Sequence, residues 1–175
     1  GELRKESLDA RLLLIPRHAE RREEVRKHIS ETGLAFNLRS EARQAEAGTI
    51  VYLADTTGEL PRLIGAGDLA FLGKTLPPNS GGQNPMEPIS IGLPLVIGPA
   101  YQNFRESCAE LFSHGAAFKA EKREEVKKLI REFAGDEKKT AEARDACFEW
   151  IGKQGSPTGT TLKILHQILE KKEPF

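Results

Sequence analysis

Residues 11–18 read RLLLIPRH, a continuous apolar run followed at once by proline, arginine and histidine. An apolar run closed by Pro16 predicts a β-strand that is buried on both faces. The charged stretch that follows has Val25 and Ile29 four residues apart, which predicts a helix that ends near Gly33. This strand followed by a helix is the unit from which parallel sheets are built.

The same alternation continues through the first two thirds of the chain. Strands are predicted at residues 11–15, 34–38, 49–53, 68–72, 94–97 and 116–119. Helices are predicted at residues 19–32, 58–65, 84–91 and 103–114, and a wholly helical region at 121–171 closes the domain and ends in an amphipathic helix at 158–171. This order predicts an α/β fold, a Rossmann-like doubly wound parallel sheet with helices on both faces. We expect residues 1–175 to form a single domain.

The composition argues against several classes of protein. The 175 residues include 26 Lys and Arg against 26 Asp and Glu, so a net charge of zero gives no general reason to expect a nucleic-acid partner. The apolar runs are far shorter than the roughly 20 residues of a membrane span, and the first residues lack the apolar region of a signal peptide. Cys108 and Cys147 are not at metal-ligand spacing, which predicts two reduced thiols. The sequence therefore predicts a soluble cytoplasmic domain.

Ligands of doubly wound sheets bind beyond the carboxyl ends of the strands, so polar residues at strand exits are the first candidates for a site. The first exit contains Pro16, Arg17 and His18. The Arg17 guanidinium has the planar geometry that binds a phosphate. The alternative is a surface arginine beside a histidine that caps the next helix.

The second exit reads DTTGEL at residues 55–60. Asp55 or Thr56 could cap the helix that follows, with Glu59 in its first turn. The functional alternative is that the small residues of this segment allow backbone N–H groups to approach a ligand. The residue types alone leave both interpretations open.

The third cluster reads SGGQNPMEP at residues 80–88. Asn84 suits the N-cap of a helix and Pro85 suits its first position, so this helix end predicts an anion site. Glu87 could accept two hydrogen bonds from a ribose diol, or it could simply complement the helix dipole. Together the three clusters predict a nucleotide pocket with a phosphate side and a ribose or base side. The chain has neither a P-loop motif nor a G-x-G-x-x-G motif after a strand, which argues against an ordinary ATPase or a dinucleotide-binding protein.

Four short motifs follow one another along the chain. They are PRHxxR at 16–21, DxxGEL at 55–60, GGQNPMEP at 81–88, and Gly98-Pro99 followed by Asn103-Phe104. In order and spacing these motifs resemble those of the bacterial 3-deoxy-D-manno-octulosonic acid (Kdo) transferases, over about residues 10–170. The resemblance implies the C-terminal, donor-binding half of a GT-B glycosyltransferase. That family transfers Kdo from CMP-Kdo to the lipid A precursor in lipopolysaccharide biosynthesis, with inversion at the anomeric carbon.

The resemblance also implies which residues contact the donor. They are Pro16, Arg17, Thr57, Gly58, Glu59, Asn84, Pro85, Met86 and Glu87. Arg17 would contact the CMP phosphate, the Asn84 helix end would add N–H donors, and Glu87 would hold the ribose. No metal or other cofactor is expected, since no Asp-x-Asp pair is present, and no catalytic residue is assigned within this chain. The family usually has histidine where this chain has Gln83, which cannot take up a proton near neutral pH.

A longer parent protein is the last implication of the resemblance. Its N-terminal domain would supply the catalytic carboxylate, the site for the lipid A precursor and a membrane anchor, on the cytoplasmic face of the inner membrane of a Gram-negative bacterium. Residues 1–8 look like the tail of a helix that follows an opening strand, so we expect an excised domain that is inactive alone. The final helix would pack either on its own sheet or against the N-terminal domain. Two alternatives stay open: a GT-B transferase or epimerase that uses a UDP-sugar, and a non-catalytic α/β module.

Overall fold

A computed structural model describes residues 10–155 and 157–170, so the prediction for residues 1–8 lies outside the described part. The strands are β1 Leu12–Leu14, β2 Phe36–Leu38, β3 Val51–Leu53, β4 Ala70–Phe71, β5 Leu95–Ile97 and β6 Ala117–Lys119. The helices are α1 Arg22–Glu31, α2 Leu60–Ile64, α3 Met86–Ser90, α4 Arg105–Ser113, α5 Arg123–Ala134, α6 Glu137–Gln154 and α7 Pro157–Glu170. Their order agrees with the prediction. The strands are shorter than the apolar runs, because those runs continue beyond the hydrogen-bonded ladder.

All the strand pairs are parallel, which confirms the predicted α/β class. The described strands form two three-stranded sheets, with the orders β1-β3-β2 and β4-β5-β6, instead of the one continuous sheet that was expected. In the first sheet Leu14, Leu53 and Leu38 are in register on the three neighbouring strands. The chain therefore leaves β1, β3 and β2 at one common edge.

The larger of the apolar clusters is built around the second sheet. Side chains with no exposed surface come from α3, β5, α4 and α6: Ile89, Leu95, Ile97, Cys108, Leu111 and Cys147. Trp150 belongs to the same cluster, and its indole Nε1–H donates to the Glu110 carboxylate at 3.1 Å. Both cysteines are free thiols, and burial raises the pKa of each to about 11.

The first sheet has a smaller core and an open edge. Its buried cluster is Ile29, Leu38, Val51 and Leu53. Leu12 on β1 is half exposed, so the prediction that this strand is buried on both faces is wrong. The physical reason is its place at the end of the order β1-β3-β2, since an edge strand has a neighbour on one side only.

The last helix, α7, makes little contact with the rest of the described chain. At least half of the surface of each of its large apolar side chains is exposed: Leu162, Ile164, Leu165, Ile168 and Leu169. In this structure its apolar face does not pack on the sheets. Among the described residues, no helix combines the length and the apolar character needed to cross a bilayer.

Candidate functional site

The first two predicted clusters leave the first sheet next to each other. The Ala54 N–H donates to the carbonyl of Leu14 at 2.9 Å, which continues the pairing of β1 with β3 to the edge. Neighbouring strands lie about 4.8 Å apart. The segments that begin at Pro16 and at Asp55 therefore start side by side, as the rule for strand exits predicts.

The first and third clusters are joined by a hydrogen bond. The Arg17 guanidinium Nη1 donates to the Gln83 side-chain oxygen at 2.9 Å, across 66 positions of sequence. The Arg17 side chain is exposed and keeps further N–H donors for a ligand. Gln83 thus serves as an acceptor for Arg17. The His18 side chain is exposed, and its Nδ1 lies 3.7 Å from a carboxylate oxygen of Glu20.

The paired glycines of the third cluster pack against the fourth motif. Gly81 and Gly82 have φ angles of 84° and 78°, a region that residues with a side chain rarely adopt. A Cβ atom on Gly82 would lie 2.5 Å from the backbone oxygen of Ala100. The Asn103 N–H donates to the Gly81 carbonyl at 3.1 Å. The glycine loop is therefore fixed by close backbone approach to the segment after β5.

Helix α3 begins two residues later than predicted. Pro85 is at its N-cap position, and the Asn84 side-chain oxygen accepts the Met86 N–H at 2.9 Å. Pro85 is buried and Met86 packs against the core cluster of the second sheet. The helix has five residues, so its dipole contributes less to an anion site than the sequence suggested. The Glu87 side chain is exposed, and its carboxylate accepts no hydrogen bond from the described residues.

At the second exit, Asp55 and Thr56 do not cap the following helix. The N-cap position of α2 is Glu59. The Asp55 carboxylate accepts the Ser40 N–H at 2.8 Å and the Ser40 hydroxyl at 2.5 Å. The Thr56 hydroxyl donates to the Glu59 carboxylate at 2.5 Å. The capping interpretation of Asp55 and Thr56 is therefore wrong, because both side chains are committed to other partners.

Between these anchored residues, Thr57 and Gly58 form the exposed part of the segment. Gly58 has a φ of 78°, and a Cβ atom there would meet nothing within 4 Å. This glycine is needed for its backbone conformation, since the space around it is open. Thr57 and Gly58 are thus presented to solvent at the same edge as Arg17.

Sequence reasoning missed Arg39 and Ser40 at the exit of β2. Arg39 forms an ion pair with Glu59 at 2.5 Å, and its side chain is 8% exposed. A cavity of about 310 Å³ opens here, and it is lined by Arg39, Ser40, Arg43, Thr56, Glu59 and Arg62. The strand-exit rule that identified Arg17 would also have found Arg39, which directly follows the predicted strand at 34–38.

The charges at this edge are dominated by arginine. The Arg39 hydrogen bonds, followed by that of Thr56, lower the pKa of Glu59 to about 2. Glu59 is therefore ionised at neutral pH and compensates the charge of Arg39. Arg43 and Arg62 line the same cavity, and neither donates a hydrogen bond to a carboxylate of the described residues. In the described part of the chain, no three His, Cys, Asp or Glu side chains are grouped so as to hold a metal ion.

No family model matches the sequence. The chain is 31% identical to a 3-deoxy-D-manno-octulosonic acid transferase from Bordetella pertussis over 160 residues, which is 90% of this chain and 37% of that protein. A transferase of the same name from Chlamydophila psittaci is 37% identical over 107 residues, 61% of this chain and 24% of the relative. The chain thus spans little more than a third of the length of the first of these relatives.

One solved structure shows the fold of this chain. The crystal structure of the C-terminal CMP-Kdo binding domain of WaaA from Acinetobacter baumannii matches with a TM-score of 0.73 at 24% identity, over 84% of this chain and 92% of that domain. The Rossmann-like fold of the C-terminal half of a GT-B glycosyltransferase is therefore confirmed. The resemblance recognised from the motifs is confirmed as well, because the curated relatives are Kdo transferases and the match lies in their C-terminal part.

Proposed function

We propose that this chain, a homologue of the Kdo transferases over their C-terminal part, binds the nucleotide-sugar donor CMP-Kdo. The observation that supports the proposal best is that three clusters far apart in sequence meet at the carboxyl edge of the first sheet. There β1 adjoins β3, and Arg17 is hydrogen-bonded to Gln83 of the third cluster, which lies between β4 and β5 of the second sheet. Such edges are where doubly wound sheets bind nucleotides. The choice of CMP-Kdo rests on the Kdo transferases among the relatives and on the structural neighbour, a CMP-Kdo binding domain.

Each end of the proposed site has a defined chemistry. Arg17 would bind the phosphate through the N–H groups that Gln83 does not occupy. The Glu87 carboxylate would accept the two hydroxyl hydrogens of the ribose, since no described residue donates to it. Thr57 and Gly58 would contact the nucleotide through exposed backbone. Pro85 and Met86 face the core, so their contribution would come from the backbone alone.

In the whole enzyme, this site would support a single inverting displacement. A carboxylate outside the matched part would remove the proton from the acceptor hydroxyl, while Arg17 stabilises the negative charge on the departing CMP. The proposal includes the lipid A precursor as the acceptor and the inner membrane as the place of action. It requires no metal ion. The matched part would contribute the site that binds the donor and stabilises the leaving group.

Calorimetric titration of CMP into the chain, with UDP as the competing nucleotide, tests the proposal. We expect CMP to bind at least tenfold more tightly than UDP. Arg17→Ala and Glu87→Ala should each weaken CMP binding by about 10-fold to 100-fold, because a hydrogen bond to a charged group contributes about 1.5–3 kcal/mol. Lys153→Ala, an exposed position on α6, is the control and should leave the affinity unchanged.

Two results would reject the proposal. Tighter binding of UDP would support the alternative of a transferase or epimerase that uses a UDP-sugar. Failure of the unmodified chain to bind either nucleotide would support the alternative of a non-catalytic α/β module.

A further inference from the structure

Arg39 and Glu59 form a two-pronged ion pair that joins the exit of β2 to the segment after β3. The Arg39 Nε–H donates to one oxygen of the Glu59 carboxylate at 3.0 Å, and Nη2–H donates to the other at 2.5 Å. The residues are 20 positions apart, so the pair is a tertiary contact rather than a contact along one helix. The Arg39 side chain is 8% exposed and that of Glu59 is 28% exposed. A bidentate pair with this little exposure fixes the relative position of its two segments.

Both partners make several hydrogen bonds to protein groups. The Glu59 carboxylate accepts the Thr56 hydroxyl in addition to Arg39, and the remaining Arg39 Nη1–H donates to the backbone carbonyl of Arg43. Together these bonds use each end of the guanidinium fork and both carboxylate oxygens. The main bonds of both side chains are therefore made within the protein.

A second contact fixes the other end of the same segment. Ser40, the residue after Arg39, donates its N–H and its hydroxyl to the Asp55 carboxylate. Residues 55 and 59 are thus each tied to the exit of β2, and the exposed Thr57–Gly58 backbone lies between the two anchors. A turn held at both ends loses less conformational entropy when a ligand binds.

We infer that Arg39 is a positioning residue for the nucleotide, which acts through Glu59 by holding the Thr57–Gly58 backbone in its binding conformation. This inference rests on the proposed function. It also revises the role implied for Glu59, whose carboxylate serves the protein and not the ligand. Arginine is required because lysine, a single ammonium, cannot make two parallel bonds to one carboxylate.

The test measures CMP affinity in the unmodified chain and in Arg39→Lys, Glu59→Gln and the double variant. We expect each single variant to weaken binding by roughly tenfold, and the double variant to bind no worse than either single one, because both act through one contact. Arg144→Lys is the matched control, since Arg144 also bridges two elements by donating to the Gly67 carbonyl at 3.2 Å before β4. Its affinity should equal that of the unmodified chain.

A pH series separates positioning from general loss of stability. In Arg39→Lys the pKa of Glu59 should return toward its ordinary value of about 4.5, whereas in the unmodified chain it is about 2. The ratio of the variant's Kd to the unmodified Kd should therefore rise as the pH falls from 7 to 4.5. Taking the ratio at each pH cancels the titration of CMP itself. Glu59→Gln keeps the side-chain volume, and thermal unfolding of every variant identifies any that fails to fold.

The outcomes are distinct. If the unmodified chain binds CMP and the folded Arg39→Lys and Glu59→Gln variants bind within twofold of it, the inference about Arg39 is wrong while the proposed function stands. Additive losses in the double variant, or a ratio that does not change with pH, would also overturn it. If the unmodified chain binds no CMP, the proposed function fails and the inference fails with it.

Discussion

The two sheets of this domain differ in how deeply their residues are buried and in how many polar contacts they support. The cluster around β5 includes seven residues with no exposed surface, whereas the cluster of the β1-β3-β2 sheet has one, Leu53. The polar contacts of Arg17, Arg39, Ser40 and Asp55 all arise at the exits of β1, β2 and β3. The second sheet thus acts as the scaffold, and the first sheet presents most of the candidate site.

The sharpest test of this contrast is a truncation in each core. Leu111→Ala removes a side chain with no exposed surface from the second sheet's cluster and should cost about 4 kcal/mol of unfolding free energy. Val25→Ala, a half-buried position packed on the first sheet's cluster, should cost about 1 kcal/mol. Urea unfolding of both variants measures the difference. Equal costs would contradict the assignment of the second sheet as scaffold.

An intermediate effect is expected at the glycines, which again differ between the two regions. Gly82 and Gly58 both have a positive φ, so alanine at either position is strained by about 1 kcal/mol. Only at Gly82 would the new methyl group also meet a backbone oxygen, which should raise the cost of Gly82→Ala to about 3 kcal/mol. Thermal unfolding compares the two variants. A Gly58→Ala variant as unstable as Gly82→Ala would show that the open space around Gly58 is wrongly described.

The smallest expected effect is the contribution of Glu59, in the first sheet's region, to the pH dependence of the unfolding free energy. The pKa of Glu59 is lowered to about 2 in the folded chain, so this carboxylate stabilises the fold above its unfolded pKa near 4.5. That stabilisation should be lost as the pH falls from about 4.5 to 2. Urea midpoints measured across this range should fall less steeply in Glu59→Gln than in the unmodified chain. Identical slopes would mean that the Arg39 contact does not persist in solution.

The sequence predicted the fold well because its local signals agreed with one another. Short apolar runs alternated with helical patterns, and stops such as Gly33, with its φ of 68°, stood where the predicted helices end. The division into two sheets and the exposure of Leu12 could not be predicted, since both depend on which strands become neighbours. Periodicity indicates that a strand exists, but it does not say whether the strand lies at an edge.

The candidate site was predicted in part. The strand-exit rule found Arg17 and the segments at 55–60 and 80–88, and the structure brings Arg17 and Gln83 into contact. Asp55 and Glu59 were interpreted as residues at the start of the following helix, because a sequence shows directly only which residues are neighbours along the chain. Their actual partners, Ser40 and Arg39, are 15 and 20 residues away. Contacts at that separation follow from strand pairing, which no single segment encodes.

The glycine loop has a consequence for how this sequence can change. Because the backbone at Gly82 lies close to the backbone oxygen of Ala100, a side chain at position 82 is excluded by volume, whatever its chemistry. The neighbouring Gln83 is under no such restriction, since its side chain points to Arg17 and not into that gap. Substitution at position 83 can therefore exchange one polar group for another while the loop keeps its path. A change of residue at position 100 is not expected to relieve the restriction at position 82, since every residue carries the same backbone oxygen.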